Sequence, residues 1–370
     1  MYAKAARRGR KRWAAVLVFL IVLFIALDAY IDWRGTLSGF WGIHESVNAY
    51  PGLYTYPGDE DWYTIDNDRF GIDSTGGHAG RTTDGINAAL QWASLAGRNK
   101  VRLPKGTYLI RCAWSNPYIM PDDGIKVPSG MTLDLGDATL MIEPNGSPCY
   151  CIISVAEKTG VTILGGTLAG DRDSHDYSTD AGLSTHEWGF GIAVAASTDV
   201  LIQDVTIRDT TGDGIILEGS YKPLKENGKL SANVRIYHCD ISNCRRQGVS
   251  VVGATDSIVA GNEIYGINGT PPEYGIDVEP GLDYRADNVK IYDNLIYGCR
   301  AGAVSCHSGS NYEVYANRCK SNSIIAVECS NVKIYNNSIE SSLIRVYRNA
   351  SNVQVYDNRL DLLSRLIIEN

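Results

Sequence analysis

A short phrase that repeats through the second half of the chain restricts the possible folds more than any other feature. It reads Val-x-Ile-Tyr-x-Asn-x-Ile, or close to it. Its Asn position recurs at steps of 23, 32, 23, 20 and 21 residues, from Cys239 to Asn358. A period in this range, made of short strands with no helical pattern between them, predicts a solenoid of β-coils. The clearest copies span residues 234–241, 289–296, 332–339 and 353–360, and weaker ones span 257–264 and 312–319.

Alternation within the phrase predicts how one coil is built. The Val and Ile point inward from a short strand, and the Tyr faces outward. The Asn lies at a bend, where its side chain bonds the backbone of the next coil, so stacked coils form an amide ladder with a step of roughly 4.8 Å. One coil cannot bury its own apolar face, so stacking must supply the core. The sequence therefore predicts an all-β fold with parallel strands.

Charge and cysteine content narrow the classes of partner and cofactor. The 370-residue chain has a formal net charge of −8, which argues against nucleic acid as a partner. It argues weakly against a strongly acidic polymer unless metal ions or a local basic patch intervene. The nine cysteines include no CxxC pair and no His/Cys cluster with zinc spacing, so we predict no metal site. Cys239 and Cys319 are interpreted as small core residues.

The N-terminus predicts export. Five basic residues lie within residues 7–12, and an apolar run from Trp13 to Leu27 follows them. Extended to Ile31 the run has 19 residues, enough to cross roughly 30 Å of hydrocarbon if Asp28 lies near the outer interface. A cleaved signal peptide and a secreted protein are the alternative. The predicted order is a cytoplasmic basic segment (1–12), a transmembrane anchor (13–33), a linker or lead-in (34–65) and an extracytoplasmic β-helix domain (66–370).

One helix is predicted ahead of the coils, from Thr82 to Gly97, with Thr82 or Thr83 as its N-cap. The phrase Leu-Pro-x-Gly-x-Tyr follows at residues 103–108. The segment 68–110 resembles the start of pectin-lyase-like right-handed parallel β-helices, in which a short helix covers the open end of the first coil. The resemblance spans roughly residues 68–370 and implies a right-handed parallel β-helix. It implies no single activity, because the superfamily includes lyases, hydrolases, epimerases, tailspikes and noncatalytic surface proteins.

A recurring glycine predicts the register of the central coils, because each copy precedes an inward apolar residue and strand side chains alternate. The alternation places Asp277 and Glu279 on one outward face, about 6.5–7 Å apart at Cβ. Glu218 lies two coils away on that face, and Val304 is predicted to face outward as well. The aligned glycines are Gly191, Gly214, Gly248, Gly275 and Gly302, and the residues at the corner just before the strand are Asp213, Arg246 and Tyr274.

Two carboxyl groups at this spacing suit inverting glycoside hydrolysis, which uses an acid and a base roughly 6.5–9.5 Å apart. We predict that Asp277 and Glu279 fill these roles, with Asp213 assisting. Crowded carboxylates raise one pKa, as a general acid requires. The predicted partner is an extended polysaccharide, including an acidic one whose uronate Arg246 would bind. The residues predicted to bind substrate are Arg246, His186, His175, Arg172, Asp171, Glu218, Trp188 and Tyr274.

Two other function classes are consistent with the same residues. A lyase or epimerase acting on uronates would use Arg246, His175 or His186 as its base. It would neutralise the uronate with Arg246, or with a calcium ion held by Asp277 and Glu279 as its cofactor. A noncatalytic glycan-binding or assembly protein at the cell surface would need none of this chemistry.

Most of these residues also have a purely structural interpretation. Asp213 between two glycines suits a turn. Arg246 suits pairing with a neighbouring glutamate, and His186 suits a buried hydrogen bond. Asp277 and Glu279 are harder to explain in this way, because two acids side by side on a sheet repel each other.

Five phrases together resemble a subgroup of bacterial and phage β-helix proteins that look carbohydrate-active. The chain departs from pectate lyases, whose calcium aspartates and basic catalytic residue do not map onto this sequence, and it lacks the paired-aspartate phrase of polygalacturonases. The five phrases lie at residues 170–175, 187–192, 212–215, 245–249 and 275–280.

Overall fold

The computed structural model describes residues 50–56, 61–113, 116, 123–179, 184–220, 228–281 and 284–369. The predicted cytoplasmic segment and transmembrane anchor, at residues 1–33, lie outside these ranges. Within the ranges, no helix is both long and apolar enough to cross a membrane. All secondary structure described below belongs to the unit Tyr54–Asn370.

Parallel strands in two sheets make up most of the described chain. The first sheet contains β1 (Tyr63–Thr64), β2 (Lys100–Arg102), β3 (Thr107–Ile110), β5 (Thr132–Ile142), β7 (Thr162–Ala169), β9 (Thr198–Gln203), β10 (Thr206–Arg208), β12 (Ser231–Tyr237), β13 (Asp240–Ser242), β15 (Ala254–Ala260), β16 (Glu263–Tyr265), β18 (Asp287–Tyr292), β19 (Leu295–Tyr297), β21 (Ser310–Tyr315), β22 (Arg318–Lys320), β24 (Ser330–Tyr335), β25 (Ser338–Glu340), β27 (Ser351–Tyr356) and β28 (Arg359–Leu360). The second sheet contains β4 (Ile125–Lys126), β6 (Cys149–Ala156), β8 (Trp188–Ala195), β11 (Asp213–Glu218), β14 (Gln247–Val251), β17 (Tyr274–Val278), β20 (Gly302–His307), β23 (Ile324–Val327), β26 (Leu343–Val346) and β29 (Arg365–Ile368).

A complete coil contributes two short strands to the first sheet and one to the second. Strands β15, β16 and β17 form one coil, and β18, β19 and β20 form the next. Residues of successive coils lie directly opposite each other, as Val259, Ile291 and Val314 do. These three side chains are fully buried in one hydrophobic core that extends from Ile65 to Val346. The predicted parallel β-solenoid is confirmed.

An asparagine ladder links the coils at one bend. Asn294 Oδ1 accepts hydrogen bonds from the backbone N–H and the Nδ2 of Asn262, at 3.0 and 2.9 Å. Its Nδ2 donates to Val259 O and to Asn317 Oδ1, both at 2.9 Å. The predicted ladder is confirmed, but each Oδ1 bonds the backbone of the preceding coil, because that bend leaves an N–H without a strand partner. The ladder runs through Asn262, Asn294, Asn317, Asn337 and Asn358.

The repeated tyrosines form a second ladder on the outside of the first sheet. The rings of Tyr292 and Tyr315 stack with centroids 4.8 Å apart, and Tyr335 and Tyr356 continue the stack at 4.9 and 5.0 Å. Stacking covers the ring faces, so Tyr292 is only 5% exposed while the terminal Tyr356 is 41% exposed. The outward tyrosine column is therefore packed surface that helps to hold coils together.

Two helices, α1 (Asn67–Phe70) and α2 (Ala79–Leu95), lie near the first coils. Helix α2 buries Ile86, Ala89, Leu90 and Ala93, the face that the sequence predicted. The predicted N-cap is wrong, because the helix starts at Ala79, after His78, and contains Thr82 and Thr83. Thr83 Oγ1 instead donates to Ala79 O at 2.8 Å and accepts from Arg111 N at 2.9 Å, which links the helix to the end of β3.

Part of the predicted lead-in packs on the coils. Strand β1 pairs with β2, with Tyr63 opposite Val101. The backbone N–H of Tyr54 donates to Gln203 Oε1 at 2.8 Å, and Gln203 Nε2 donates back to Tyr54 O at 3.2 Å. The first strand therefore lies ahead of residue 66, where the sequence placed the start of the β-helix.

The cysteines are core residues. All nine are free thiols, and eight of them are buried. Cys239 and Cys319 are 1% and 0% exposed, which confirms their interpretation as small apolar side chains.

Candidate functional site

A column of glycines aligns the strands that carry the candidate site. A Cβ atom on Gly214 would lie 2.7 Å from Gly248 O, and one on Gly248 would lie 2.4 Å from Gly275 O. Such close backbone approach excludes every side chain. On Gly275 the corresponding atom is Ala303 O, at 2.9 Å. The predicted glycine register is therefore confirmed up to Gly275 and wrong in the next coil, where Ala303 takes the position assigned to Gly302.

The corrected register changes which residue lies beside Asp277. Asp277 is opposite Ser250 in β14 and Ser305 in β20. Val304, predicted to face outward, is opposite Ile276 and belongs to the core. The one-residue difference arises because Gly302 pairs with the residue before the glycine in β17. A hydroxyl therefore lies next to Asp277 where the sequence predicted an apolar side chain.

Stacking brings the three predicted catalytic acids to one sheet. Asp213 begins β11, Asp277 lies in β17, and Glu279 directly follows β17. One strand, β14, separates β11 from β17. Since neighbouring strands are roughly 4.8 Å apart, Asp213 and Asp277 are separated by about 10 Å along the stack.

Asp213 is fully buried and hydrogen-bonded. Its Oδ2 accepts from Arg246 Nη1 at 3.0 Å and from Ser250 Oγ at 2.8 Å. Burial raises the pKa of Asp213 to about 6, although the Arg246 charge and the Ser250 hydroxyl favour the ionised form. Asp213 therefore changes charge just below neutral pH.

Asp277 is 2% exposed, and only one of its two carboxylate oxygens accepts a hydrogen bond. Its Oδ2 accepts from Gln247 Nε2 at 2.6 Å, while its Oδ1 is equally buried and makes no hydrogen bond. Burial, and then the negative charge of Glu279, raise the pKa of Asp277 to about 7. The carboxyl group therefore holds a proton until the pH is near neutral.

Four carboxyl groups act electrostatically on Arg246, and one of them, Asp213, contacts it. Burial lowers its pKa, but the charges of Asp213, Glu187, Asp277 and Glu279 outweigh burial and raise it. We call these four acids, with Arg246, the acid cluster. Tyr274 lies beside the acid cluster and is partly exposed. Burial, and then the charge of Asp277, raise the pKa of Tyr274 to about 12.

Three other predicted binding residues form a separate buried chain of hydrogen bonds. His175 Nδ1 lies 2.8 Å from Asp171 Oδ2, and His175 Nε2 lies 2.8 Å from His186 Nδ1. His186 Nε2 donates to Thr179 O at 2.9 Å. Asp171, His175 and His186 are 3%, 8% and 0% exposed. Their hydrogen bonds close the insertion between β7 and β8.

The remaining predicted binding residues lie in the insertion between β7 and β8 or on the second sheet. Arg172 donates to Asn243 O at 2.9 Å and to Asn268 Oδ1 at 2.8 Å, so it braces the insertion against two later coils. Glu218 ends β11, partly exposed, and lies opposite Ala195. Trp188 begins β8 and packs on an outer apolar cluster made of Cys149, Cys151, Phe190, Ala193 and Ile216.

Comparison with known proteins supports the right-handed β-helix fold. The family described as "Right handed beta helix region" matches residues 184–322 and 228–362. The A-module of the Azotobacter vinelandii mannuronan C-5 epimerase AlgE4 has a similar fold, with a TM-score of 0.57 and 19% identity over 80% of this chain and 77% of that chain. A tailspike protein of E. coli bacteriophage HK620 is also similar, with a TM-score of 0.58 and 11% identity over 90% of this chain and 69% of that chain. The chain has the right-handed parallel β-helix fold, and the part from residue 184 to residue 362 matches the family model.

Two Bacillus subtilis (strain 168) relatives of this β-helix protein are similar in sequence. The uncharacterized protein YclG is 34% identical over 239 residues, which cover 62% of this chain and 41% of the relative. The SPbeta prophage-derived uncharacterized protein YorA is 33% identical over 273 residues, which cover 70% of this chain and 46% of the relative. The chain thus spans less than half the length of either relative.

Calcium was predicted only for the lyase alternative, with Asp277 and Glu279 as its ligands. In the part of the chain that is described, no group of three or more His, Cys, Asp or Glu side chains is placed to hold a metal. Calcium prefers six to eight oxygen ligands from ionised or carbonyl groups. Asp277, one of the two ligands in the lyase interpretation, receives a hydrogen bond from Gln247.

Sequence reasoning missed the polar residues between the acids. Gln247 and Ser250 each bond one of the two buried aspartates, and Glu187 acts on Arg246. Gln247 and Ser250 lie within one of the recurrent phrases, at positions where neighbouring coils carry Asp213 and Asp277. A polar side chain directly opposite an acid on the next strand is the signal that would have identified them.

The Asp277→Asn variant is expected to gain stability relative to the wild type as the pH rises. The folded-state pKa of Asp277 is raised, so the stability contributed by its neutral form is complete below the ordinary value of 3.8 and is lost as the pH rises through about 7. The amide is neutral throughout, so the free energy of unfolding of the variant relative to the wild type should increase from about pH 4 to about pH 8, by roughly 2–4 kcal/mol at most. Chemical denaturation across this range measures the difference.

Asp137→Asn is the control for this titration. Asp137 has a side chain that is 79% exposed, and its nearest partner, Lys105, is 3.7 Å away. Because water surrounds this side chain in the folded protein, its substitution should change the free energy of unfolding little. A pH-independent difference for Asp277→Asn would show that the buried carboxyl is not protonated in the folded state.

Proposed function

We propose that this β-helix protein is exported and membrane-tethered, and that it cleaves glycosidic bonds of an extended polysaccharide by acid/base catalysis. The observation that carries the proposal is the state of Asp277. It is a buried carboxyl group with a pKa raised to about 7, one oxygen without a hydrogen bond, and a partly exposed second carboxylate, Glu279, two residues away. Such a pair suits an acid and a base.

The proposed reaction is a single displacement. Protonated Asp277 donates its proton to the glycosidic oxygen, so the leaving sugar departs with its hydroxyl restored. Glu279, ionised, removes a proton from a water molecule that attacks the anomeric carbon from the opposite face. Asp213 assists through Ser250, which lies between it and Asp277. Because strand geometry puts the two acids about 6.5–7 Å apart at Cβ, within the spacing that leaves room for the attacking water, the proposed outcome is inversion of the anomeric configuration.

The fold comparisons support a polysaccharide partner. By their names, one similar protein is an epimerase of mannuronan, and another was solved in complex with a pentasaccharide. A stack of coils offers a long, regular outer face, which matches an extended polymer. Tyr274, partly exposed beside Asp277, supplies an aromatic surface for a sugar ring.

The proposed location rests on the N-terminal residues alone. A basic segment (1–12) followed by an apolar one (13–33) favours a cytoplasmic N-terminus and an extracytoplasmic β-helix. Fractionation of cells expressing a C-terminally tagged full chain, with protease added to intact cells, tests this. Protection of the tag in intact cells would contradict an extracytoplasmic β-helix.

Product analysis tests the proposed reaction. The full chain, purified in detergent, is incubated with a panel of natural polysaccharides, and new reducing ends are assayed beside the ultraviolet absorbance of unsaturated uronates. We expect reducing ends without that absorbance, and nuclear magnetic resonance should show an inverted anomer as the first product. Unsaturated products would indicate a lyase, and binding without any product would indicate the noncatalytic alternative.

A further inference from the structure

We infer that the acid cluster takes an uncharged polysaccharide rather than a polyuronate. This inference rests on the proposed function and adds the class of substrate. The sequence alone suggested Arg246 as a partner for an acidic sugar. The structure places Arg246 differently, and the difference decides which sugars suit the site.

The guanidinium of Arg246 is already engaged inside the protein. Its Nη1 lies 3.3 and 3.0 Å from the two carboxylate oxygens of Asp213, which is fully buried. The Arg246 side chain is only 20% exposed. Moving it to a substrate carboxylate would leave Asp213 buried without its cation. Breaking a buried ion pair by removing one partner is strongly unfavourable.

The charges that act on Arg246 are all negative. Four carboxyl groups act on its pKa: Asp213, Glu187, Asp277 and Glu279. One cation facing four acids leaves the acid cluster negative once the acids ionise. A uronate bound beside Glu279 would meet repulsion in a poorly hydrated site, where like charges interact more strongly than in water.

The outer column that contains Asp277 supplies no nearby cation. In strand order its members are Lys126, Ser154, Ala193, Ile216, Ser250, Asp277, Ser305 and Ile325, and the next is Arg345. Lys126 lies five strands from Asp277, about 24 Å away. Arg345 lies three strands from Asp277, about 14 Å away. It is also paired with Glu369, with Nε 2.9 Å from Oε1, and lies over the ring of Tyr347.

Uncharged hydroxyl and aromatic groups, rather than cations, are the neighbours of Asp277. Ser305 lies next to Asp277, and Tyr274 lies at the rim. The charge of Tyr347 also contributes to the raised pKa of Tyr274, so the two aromatic side chains are neighbours. Such groups bind hydroxyls and sugar faces without needing a charge on the ligand.

A matched pair of polymers tests the inference. A polyuronate and the same polymer after chemical reduction of its carboxyl groups to alcohols share linkages and differ in charge. Several such pairs are assayed with the full chain at low and high salt. We expect kcat/KM to be at least about tenfold higher on the reduced member of any pair that is cleaved, and salt should improve cleavage of the polyuronate selectively.

A charge variant sharpens the test. Glu187→Gln removes one negative charge that acts on Arg246, and it should raise the ratio of polyuronate to reduced-polymer cleavage by about threefold. Asp137→Asn removes an exposed charge elsewhere and should leave the ratio unchanged.

The outcomes separate the two proposals. Equal or better cleavage of the polyuronate overturns the inference while leaving glycosidic cleavage intact. If no polymer is cleaved, the proposed function fails. The inference is then tested by binding, with affinity electrophoresis in gels that contain each polymer. Stronger retardation by the polyuronate would overturn it, and stronger retardation by the reduced polymer would support it.

Discussion

Asp277→Asn is expected to lower the kcat of polysaccharide cleavage by about 10²–10⁴-fold, the usual contribution of a positioned general acid. The amide keeps the size of the side chain and can still accept the hydrogen bond that Gln247 Nε2 makes at 2.6 Å. It carries no acidic proton for the leaving oxygen. The free energy of unfolding should not fall, since the amide also removes the charge that burial disfavours.

The matched control is Asp240→Asn. Asp240 is a carboxylate on the first sheet, opposite Glu263, and burial and that glutamate raise its pKa as well. The same chemical change on the other sheet should leave kcat within about twofold, because Asp240 is remote from the acid cluster. The wild-type kcat should also fall as the pH rises through about 7, where Asp277 loses its proton. An Asp277→Asn variant with more than a tenth of wild-type kcat would remove Asp277 from the acid role.

Asn294→Ala is expected to destabilise the fold by about 3–5 kcal/mol. The side chain makes four hydrogen bonds, two as acceptor from Asn262 and two as donor to Val259 O and Asn317 Oδ1. Asn294 is 1% exposed, so water cannot replace the lost partners. Urea denaturation followed by circular dichroism measures the loss.

Asn358→Ala is the control for burial. Asn358 also makes four side-chain hydrogen bonds, to Asn337, Ile334 and Tyr356, but it is the last member of the ladder and is partly exposed. Water can reach this end, so we expect a cost of about 1 kcal/mol. If Asn294→Ala and Asn358→Ala lowered the free energy of unfolding equally, burial would not increase the contribution of the amide hydrogen bonds. The slope of unfolding against urea must be compared as well, because repeat arrays can unfold in parts.

The fold was largely predictable because its signals are local and repeat. Inward valines and isoleucines alternate with outward residues, and an asparagine recurs at each bend, so the strands and the stacking follow from the pattern. The apolar face of α2 was predictable for the same reason. The N-cap was not, because the helix starts one turn earlier, where Thr83 bonds the backbone of Ala79 and Arg111.

In the candidate site, the sequence predicted only those side-chain positions that follow from the geometry of a single strand or from the glycine alignment. Asp277 and Glu279 lie two residues apart on a strand, so alternation alone puts them on one face. Asp213 was placed near them by the glycine alignment, which holds as far as Gly275. The alignment failed at Gly302, where the next glycine in sequence is not the one in register.

Lateral contacts in the site required the tertiary structure. The pairing of Arg246 with Asp213, and the chain from Asp171 through His175 to His186, depend on how side chains from different coils meet. Burial of Asp277, which raises its pKa, likewise depends on what packs around β17. The residues in these contacts are not separated by the repeat length, so the repeat pattern could not predict them.

The order of residues by itself determined that short strands stack into a parallel β-helix and that two acids occupy one wall of it, because strand alternation and a repeat of 20 to 32 residues leave few other ways to bury the apolar side chains. Only the tertiary structure decided that the pKa of Asp277 is raised and that a third acid, Asp213, is paired with Arg246. Charge and protonation depend on burial and on partners from neighbouring coils, and both are properties of the packed molecule.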